Sequence, residues 1–158
     1  MKFLTAELKK KYMEDFNMNV LPCINDYWAI DSGLKEILIN INKNQNVQTL
    51  FSKRGVLRGD EQSYIYFAIT KEVNQKLIQR FASLNKKKYD ELFFLINPPT
   101  IFESEFEEAG YDEQTNSLSC LSNKEHFNIS VFTLTIFDYD LKKHIGFLND
   151  VNNLLSSL

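Results

Sequence analysis

The chain has 158 residues, a usual length for one domain that buries its own core without disulfide or metal staples. Hydrophobic residues make up 44% of it and aromatics 13%, which excludes the low-hydrophobicity, high-charge signature of a disordered chain. A formal net charge of −3 and a pI near 5.4 argue against a general nucleic-acid binder.

The opening MKFLTAELKKKYMEDF breaks its apolar run at Glu7, Lys9, Lys10 and Lys11, unlike a secretory signal. Leu4, Leu8, Tyr12 and Phe16 recur at four-residue spacing, which predicts an amphipathic helix over residues 2–16. The same stripe could instead face a partner. MNVLPCINDYWAI reads as a Pro-interrupted irregular or short-strand segment. In DSGLKEILININ, a helix capped by Asp31 or Ser32 and burying Leu34, Ile37, Leu38 and Ile41 is preferred over an alternating strand.

VQTLF (47–51) and SYIYFAIT (63–70) are β-rich runs, and Gly55 and Gly59 mark turns between them, as in an antiparallel pair with a decorated loop. KEVNQKLIQRFASLNKKK predicts a helix with Val73, Leu77, Ile78, Phe81 and Leu84 inward. Lys86, Lys87 and Lys88 suit its C-terminal end, where the helix dipole is negative. ELFFLINPP is a strand stopped by Pro98 and Pro99. Strand, helix and strand fit in about 35 residues, the size of a crossover unit, so part of the sheet is expected to be parallel.

SLSCL (117–121) is a further strand candidate, and HFNISVFTLTIF (126–137) is apolar on both faces, as a central covered strand would be. DYDLKKHIGFLNDVNNLLSSL closes the sequence as a helix with Asp138 as N-cap and Leu141, Ile145, Leu148, Val151 and Leu155 inward. There is no internal repeat and no composition break. The expectation is a single α+β domain over residues 1–158, a mixed four- to five-stranded sheet with packed amphipathic helices.

FESEFEEAGYDE (102–113) holds six carboxylates and neither Lys nor Arg, so the remainder of the chain sums to +3. Thr100 with Glu103 forms a capping box and Gly110 marks a stop, so the segment predicts a short helix with Phe102, Phe106 and Ala109 on one side. Glu107 and Glu108 stand near the negative end of that helix, and like charges at i, i+4 cost roughly 0.2–0.5 kcal/mol each. A sequence that breaks a local rule often does so for function. A solvated face is the plain reading. A calcium loop is not matched, because its alternating oxygen ligands and bend glycine are missing. The functional reading is an acidic docking surface of Glu103, Glu105, Glu107, Glu108, Asp112 and Glu113, with Phe106 and Tyr111 as apolar anchors, for a basic protein partner.

Other constellations are weaker. Asp138, Asp140 and His144 could hold a divalent metal in a hydrolase, although cap and first-turn roles explain both aspartates. Cys120 and His126 could meet as a thiol–imidazole pair, with nothing to activate either. Cys23 and Cys120 are in no metal-ligand spacing and read as buried hydrophobes of a reducing compartment. KRGVLRGD (53–60) lacks the P-loop and dinucleotide patterns; its Arg54 and Arg58 could meet a partner's carboxylates. No run approaches the roughly 18 apolar residues that span a bilayer. No catalytic set, metal site or cofactor is expected, and neither direct nucleic-acid binding nor membrane insertion; the expected location is the cytoplasm.

In its size, its Asn/Lys/Ile/Phe-rich style, its α+β pattern and its acidic segment, the chain resembles bacterial immunity proteins of contact-dependent inhibition and related polymorphic toxin systems. The resemblance implies a cytosolic inhibitor that binds the toxin domain of a delivered effector, commonly a nuclease. A nuclease attracts phosphate with cations, and a carboxylate-rich surface suits the same field. The alternatives are the metal-dependent hydrolase and an assembly subunit that associates through its N-terminal helix.

Overall fold

The structure, a computed structural model, describes residues 1–24, 33–54, 62–84, 91–97 and 129–158. Helix α1 spans Ala6–Asp15, opened by Thr5, whose hydroxyl accepts from the Leu8 N–H at 3.2 Å. Through Cys23 the chain stays helical instead of turning irregular or extended, and residues 25–30 of that segment lie outside the described residues. A wide π-helical turn covers Phe16–Val20, and a 3-10 turn covers Leu21–Cys23 with Pro22 in its first positions, where a missing N–H costs nothing. The side chain of Cys23 and the caps expected at Asp31 and Ser32 lie outside the described residues.

Helix α2 spans Leu34–Asn42 and follows Gly33, whose φ of 80° is a left-handed conformation that glycine alone adopts without steric cost. Leu34, Leu38 and Ile41 are buried, so the helical period prevails over the strand-like alternation. Helix α3, Asn74–Ser83, follows a 3-10 turn at Lys71–Val73. Val73, Leu77 and Phe81 point inward, whereas Ile78, one residue off that stripe, is 45% exposed. Leu84 is extended and ends the helix, and the three lysines at 86–88 lie outside the described residues.

The last helix, α4, spans Leu141–Ser156. Its N-cap is Asp140, which accepts from the Lys142 N–H at 2.9 Å; Asp138 instead accepts from the Asp140 N–H at 2.8 Å, in a turn just ahead of the helix. The buried face is also rotated from the expected one. His144, Phe147, Leu148, Val151, Leu154 and Leu155 face inward, Ile145 is exposed and Leu141 is half-buried on the flank. Lys76 and Arg80 of α3 meet the far end of α4: Lys76 Nζ donates to the carbonyls of Ser157 and Leu158, and Arg80 donates to the Ser157 hydroxyl. Cations there complement the negative end of the helix dipole.

Strands β1 (Val47–Lys53), β2 (Gln62–Ile69), β3 (Glu91–Asn97) and β4 (Val131–Phe137) form one sheet in the order β1-β2-β4-β3. The expected crossover exists, since β2 and β3 run in the same direction with α3 between them in sequence. The last strand, β4, inserts between the two, so the expected parallel pairing is not made, and among the described residues the sheet is antiparallel throughout instead of mixed. The central position of β4 matches its apolar character on both faces; its first six residues are all buried. The strand expected at 117–121 lies outside the described residues.

Period-2 alternation sorts the core. Ile65, Phe67 and Ile69 of β2 and Phe132, Leu134 and Ile136 of β4 join the buried residues of α2, α3 and α4 in the larger cluster, with the Phe67 and Phe132 rings stacked 5.7 Å apart. Ala68, Leu50, Ile129 and Val131 meet Leu4 and Tyr12 in a smaller cluster. Tyr12 belongs to the smaller cluster and Phe16 to the larger, so the N-terminal helical segment wraps the β1 edge of the sheet. The result is an α+β fold whose N-terminal helix spends its apolar stripe on the chain's own core.

Candidate functional site

The residues of the acidic segment, Glu103, Glu105, Phe106, Glu107, Glu108, Tyr111, Asp112 and Glu113, all lie outside the described residues, as do Cys120, His126 and Arg58. What is placed is its attachment. The chain leaves β3 at Asn97 and is described again from Ile129, and Asn97 is the register partner of Val131. Both ends of the intervening stretch therefore start from neighbouring positions at one end of the sheet.

Two buried polar clusters hold the chemistry-bearing side chains that are described. The first begins with a polar residue on an apolar face. Ser63 shares the period of Ile65, Phe67 and Ile69, so strand geometry directs its hydroxyl to the side covered by α4. There it meets His144, with Ser63 Oγ 2.6 Å from Nδ1. The other ring nitrogen, Nε2, is 2.7 Å from the carbonyl oxygen of Asp138. A carbonyl only accepts, so Nε2 carries the hydrogen. In the neutral ring Nδ1 is then the acceptor, and Ser63 donates to it. Thr135 Oγ1 donates to the Ser63 carbonyl at 3.0 Å, extending the web across β4.

A Ser–His contact invites comparison with a nucleophile and its base. The setting does not permit it: Ser63 is 0% exposed and His144 2%, and neither lines either of the two grooves described below, so no scissile carbonyl reaches the hydroxyl. The metal alternative loses its ligands in the same way. Both His144 nitrogens are engaged, Asp140 caps α4, and Asp138 faces Lys143 Nζ at 3.2 Å. Desolvation works to raise the Asp138 pKa, but the Asp140 N–H and the Lys143 ammonium outweigh it and hold the carboxyl below its ordinary value. Among the described residues, no group of three or more His, Cys, Asp or Glu is arranged to hold a metal ion.

The second cluster lies along β1, an edge of the described sheet. The side chain of Lys9, only 4% exposed, donates to the carbonyl oxygens of Asn42 at 2.8 Å and Val47 at 2.5 Å. Asn42 in turn accepts from the Thr49 N–H at 2.8 Å and donates to Thr49 Oγ1 at 2.7 Å. Burial, which disfavours the charged form, pushes the Lys9 amine down to about 8 from 10.5. Lys9 also lines an open groove of about 860 Å³ between α1 and the turns at Gln45–Asn46 and Thr70–Glu72. A smaller groove of about 380 Å³ runs between α2 and α4, where Asn40 Nδ2 donates to Asn152 Oδ1 at 2.8 Å. Arg54, expected as an exposed docking cation, lines that groove and is buried.

Sequence reasoning overlooked Ser63, Lys9 and the Asn42–Thr49 pair. Signals existed for two of them. Ser63 is the polar member of an apolar alternation, and Lys9 precedes Tyr12 by three residues and Phe16 by seven, on the inward face of α1. Comparison of the chain with protein-family models, curated proteins and solved structures gives no match. Among the described residues, no helix is long and apolar enough to cross a membrane.

Proposed function

We propose that the chain is a non-catalytic, cytoplasmic inhibitor that neutralises a basic protein toxin, such as a nuclease domain, through its acidic segment. In this reading Glu103, Glu105, Glu107, Glu108, Asp112 and Glu113 meet the partner's cations, and Phe106 and Tyr111 supply apolar anchors.

The carrying observation is the charge segregation: six carboxylates fall in twelve residues without a cation, in a chain whose remainder sums to +3. Such a field speeds and orients encounter with a surface built to attract phosphate. The described fold supports the non-catalytic half of the reading, because Ser63, His144, Asp138 and Asp140 are committed to internal bonds and caps. It gives the assembly alternative no free helix face, since Leu4, Tyr12 and Phe16 are buried within the chain.

The test captures partners from native lysate on wild type beside a Glu103/Glu105/Glu107/Glu108→Lys variant, with circular dichroism confirming that the variant folds. The expected result is a basic protein held by the wild type alone. Expressed by itself, that protein arrests growth, and co-expression of the wild type, not the variant, relieves the arrest. Equal retention by both baits, or a captured protein without toxicity, removes the proposal.

A further inference from the structure

We propose that Lys9 is a carbonyl-reactive lysine, and that the groove it lines accepts small aldehydes or 2-oxo acids bearing a carboxylate. This goes beyond inhibition through the acidic segment and does not depend on it.

The contacts of the amine are what distinguish it. A lysine paired with a carboxylate is fixed as the ammonium. Lys9 instead meets two main-chain carbonyls, of Asn42 and Val47, at 2.8 and 2.5 Å. A neutral amine has two hydrogens, enough to keep both bonds, and its lone pair then occupies the remaining tetrahedral position. Desolvated lysines of this kind serve as imine-forming nucleophiles. The pKa near 8 agrees with the geometry. At pH 7.5 roughly a quarter of the molecules would carry the neutral amine, against roughly one in a thousand for an ordinary lysine.

The groove suits such a ligand. Its volume of about 860 Å³ falls within the range of small-molecule sites. Lys10 and Lys71 on its wall supply cations for an anionic substituent, while Phe3 and Met13 supply apolar surface. Glu14 and Glu72 also line it and disfavour a second negative group.

The chemistry needs no other reactant. The Lys9 nitrogen attacks the carbonyl carbon, the carbonyl oxygen takes up protons and leaves as water, and a C=N bond replaces C=O. A protonated imine has a single N–H, so one of the bonds to Asn42 and Val47 is given up in the adduct.

Wild-type protein incubated with glyoxylate and cyanoborohydride at pH 7.5 tests this directly, because reduction fixes the imine as a carboxymethyl-lysine that peptide mass mapping locates. The expected result is labelling of Lys9 at least about tenfold faster than of Lys142, which is exposed and outside the groove. Acetaldehyde, similar in size but uncharged, is expected to label Lys9 more slowly than glyoxylate does. Labelling of Lys9 no faster than of Lys142 would show a sealed structural amine and overturn the proposal. Equal rates for the two aldehydes would overturn the preference for a carboxylate.

Discussion

Asn42 and Thr49 exchange two hydrogen bonds: the Thr49 N–H donates to Asn42 Oδ1 at 2.8 Å, and Asn42 Nδ2 donates to Thr49 Oγ1 at 2.7 Å. Because β1 pairs with β2 on one side, Thr49 presents its backbone groups to the other, where an edge strand invites a foreign strand. The asparagine occupies that position. Lys9 takes the Val47 carbonyl, Gln48 Nε2 takes the Thr49 carbonyl, and the register shift between Thr49 and Phe51 interrupts the pairing further on. Four neighbouring features thus close one edge of the sheet.

Asn42→Ala leaves the buried Thr49 N–H without its acceptor, which costs about 1–3 kcal/mol. Urea unfolding should show that loss as a lower midpoint. With the edge reopened, light scattering should show concentration-dependent association that the wild type lacks.

The parts of the fold legible in the sequence are those with a clean period. Helix α3, the β1–β2 pair and the double-sided burial of β4 follow from apolar spacing. The strand order does not, because nothing local in VFTLTIF states that it inserts between β2 and β3. The cap of α4 was ambiguous for a different reason: Asp138 and Asp140 both suit an N-cap, and only the path of the chain decides that Asp140 takes it. The burial of Lys9 is not legible, because charge counts heavily against burial until two carbonyls are brought to meet it. The acidic segment is legible only as composition, and its residues lie outside those described.

Lys9 gives the stability a signed pH dependence. The amine titrates near 8 in the folded chain and near 10.5 when unfolded. Between those values the unfolded state binds more protons, so raising the pH favours the fold. Lys9→Met removes this term. The stability of the wild type relative to Lys9→Met should therefore climb from pH 8 to 10.5 and be flat below pH 8. A difference that does not change over that window contradicts the assignment.

Asp138 acts at the opposite end of the scale. Its folded pKa lies below the ordinary 3.8 despite desolvation, held there by the Asp140 N–H and Lys143. Its contribution is present above the unfolded value and is lost as pH falls through the folded one. Asp138→Asn keeps an oxygen for the Asp140 N–H but loses the charge pair, which on a partly exposed surface is worth about 0.2–1 kcal/mol. Wild type and variant should differ by that amount at pH 6 and converge in acid, as followed by thermal melts.

Ser63 and His144 should behave as one unit. They meet across the interface of β2 with α4, with Ser63 Oγ 2.6 Å from His144 Nδ1, and both are buried. Removing the ring in His144→Ala leaves a cavity, takes the Nδ1 acceptor from the Ser63 hydroxyl and leaves the Asp138 carbonyl without the His144 donor, for a loss of about 2–4 kcal/mol. Ser63→Ala leaves Nδ1 without a donor, for about 1–3 kcal/mol. The double variant has neither orphaned group at that contact, so its loss should fall short of the sum by about 0.5–3 kcal/mol. An independent readout is the tautomer. Nitrogen NMR of the wild type should find the His144 hydrogen on Nε2, facing the Asp138 carbonyl, and a bare Nδ1 shifted by the Ser63 hydroxyl. A hydrogen on Nδ1 together with additive stabilities would mean that β2 and α4 are joined by packing alone.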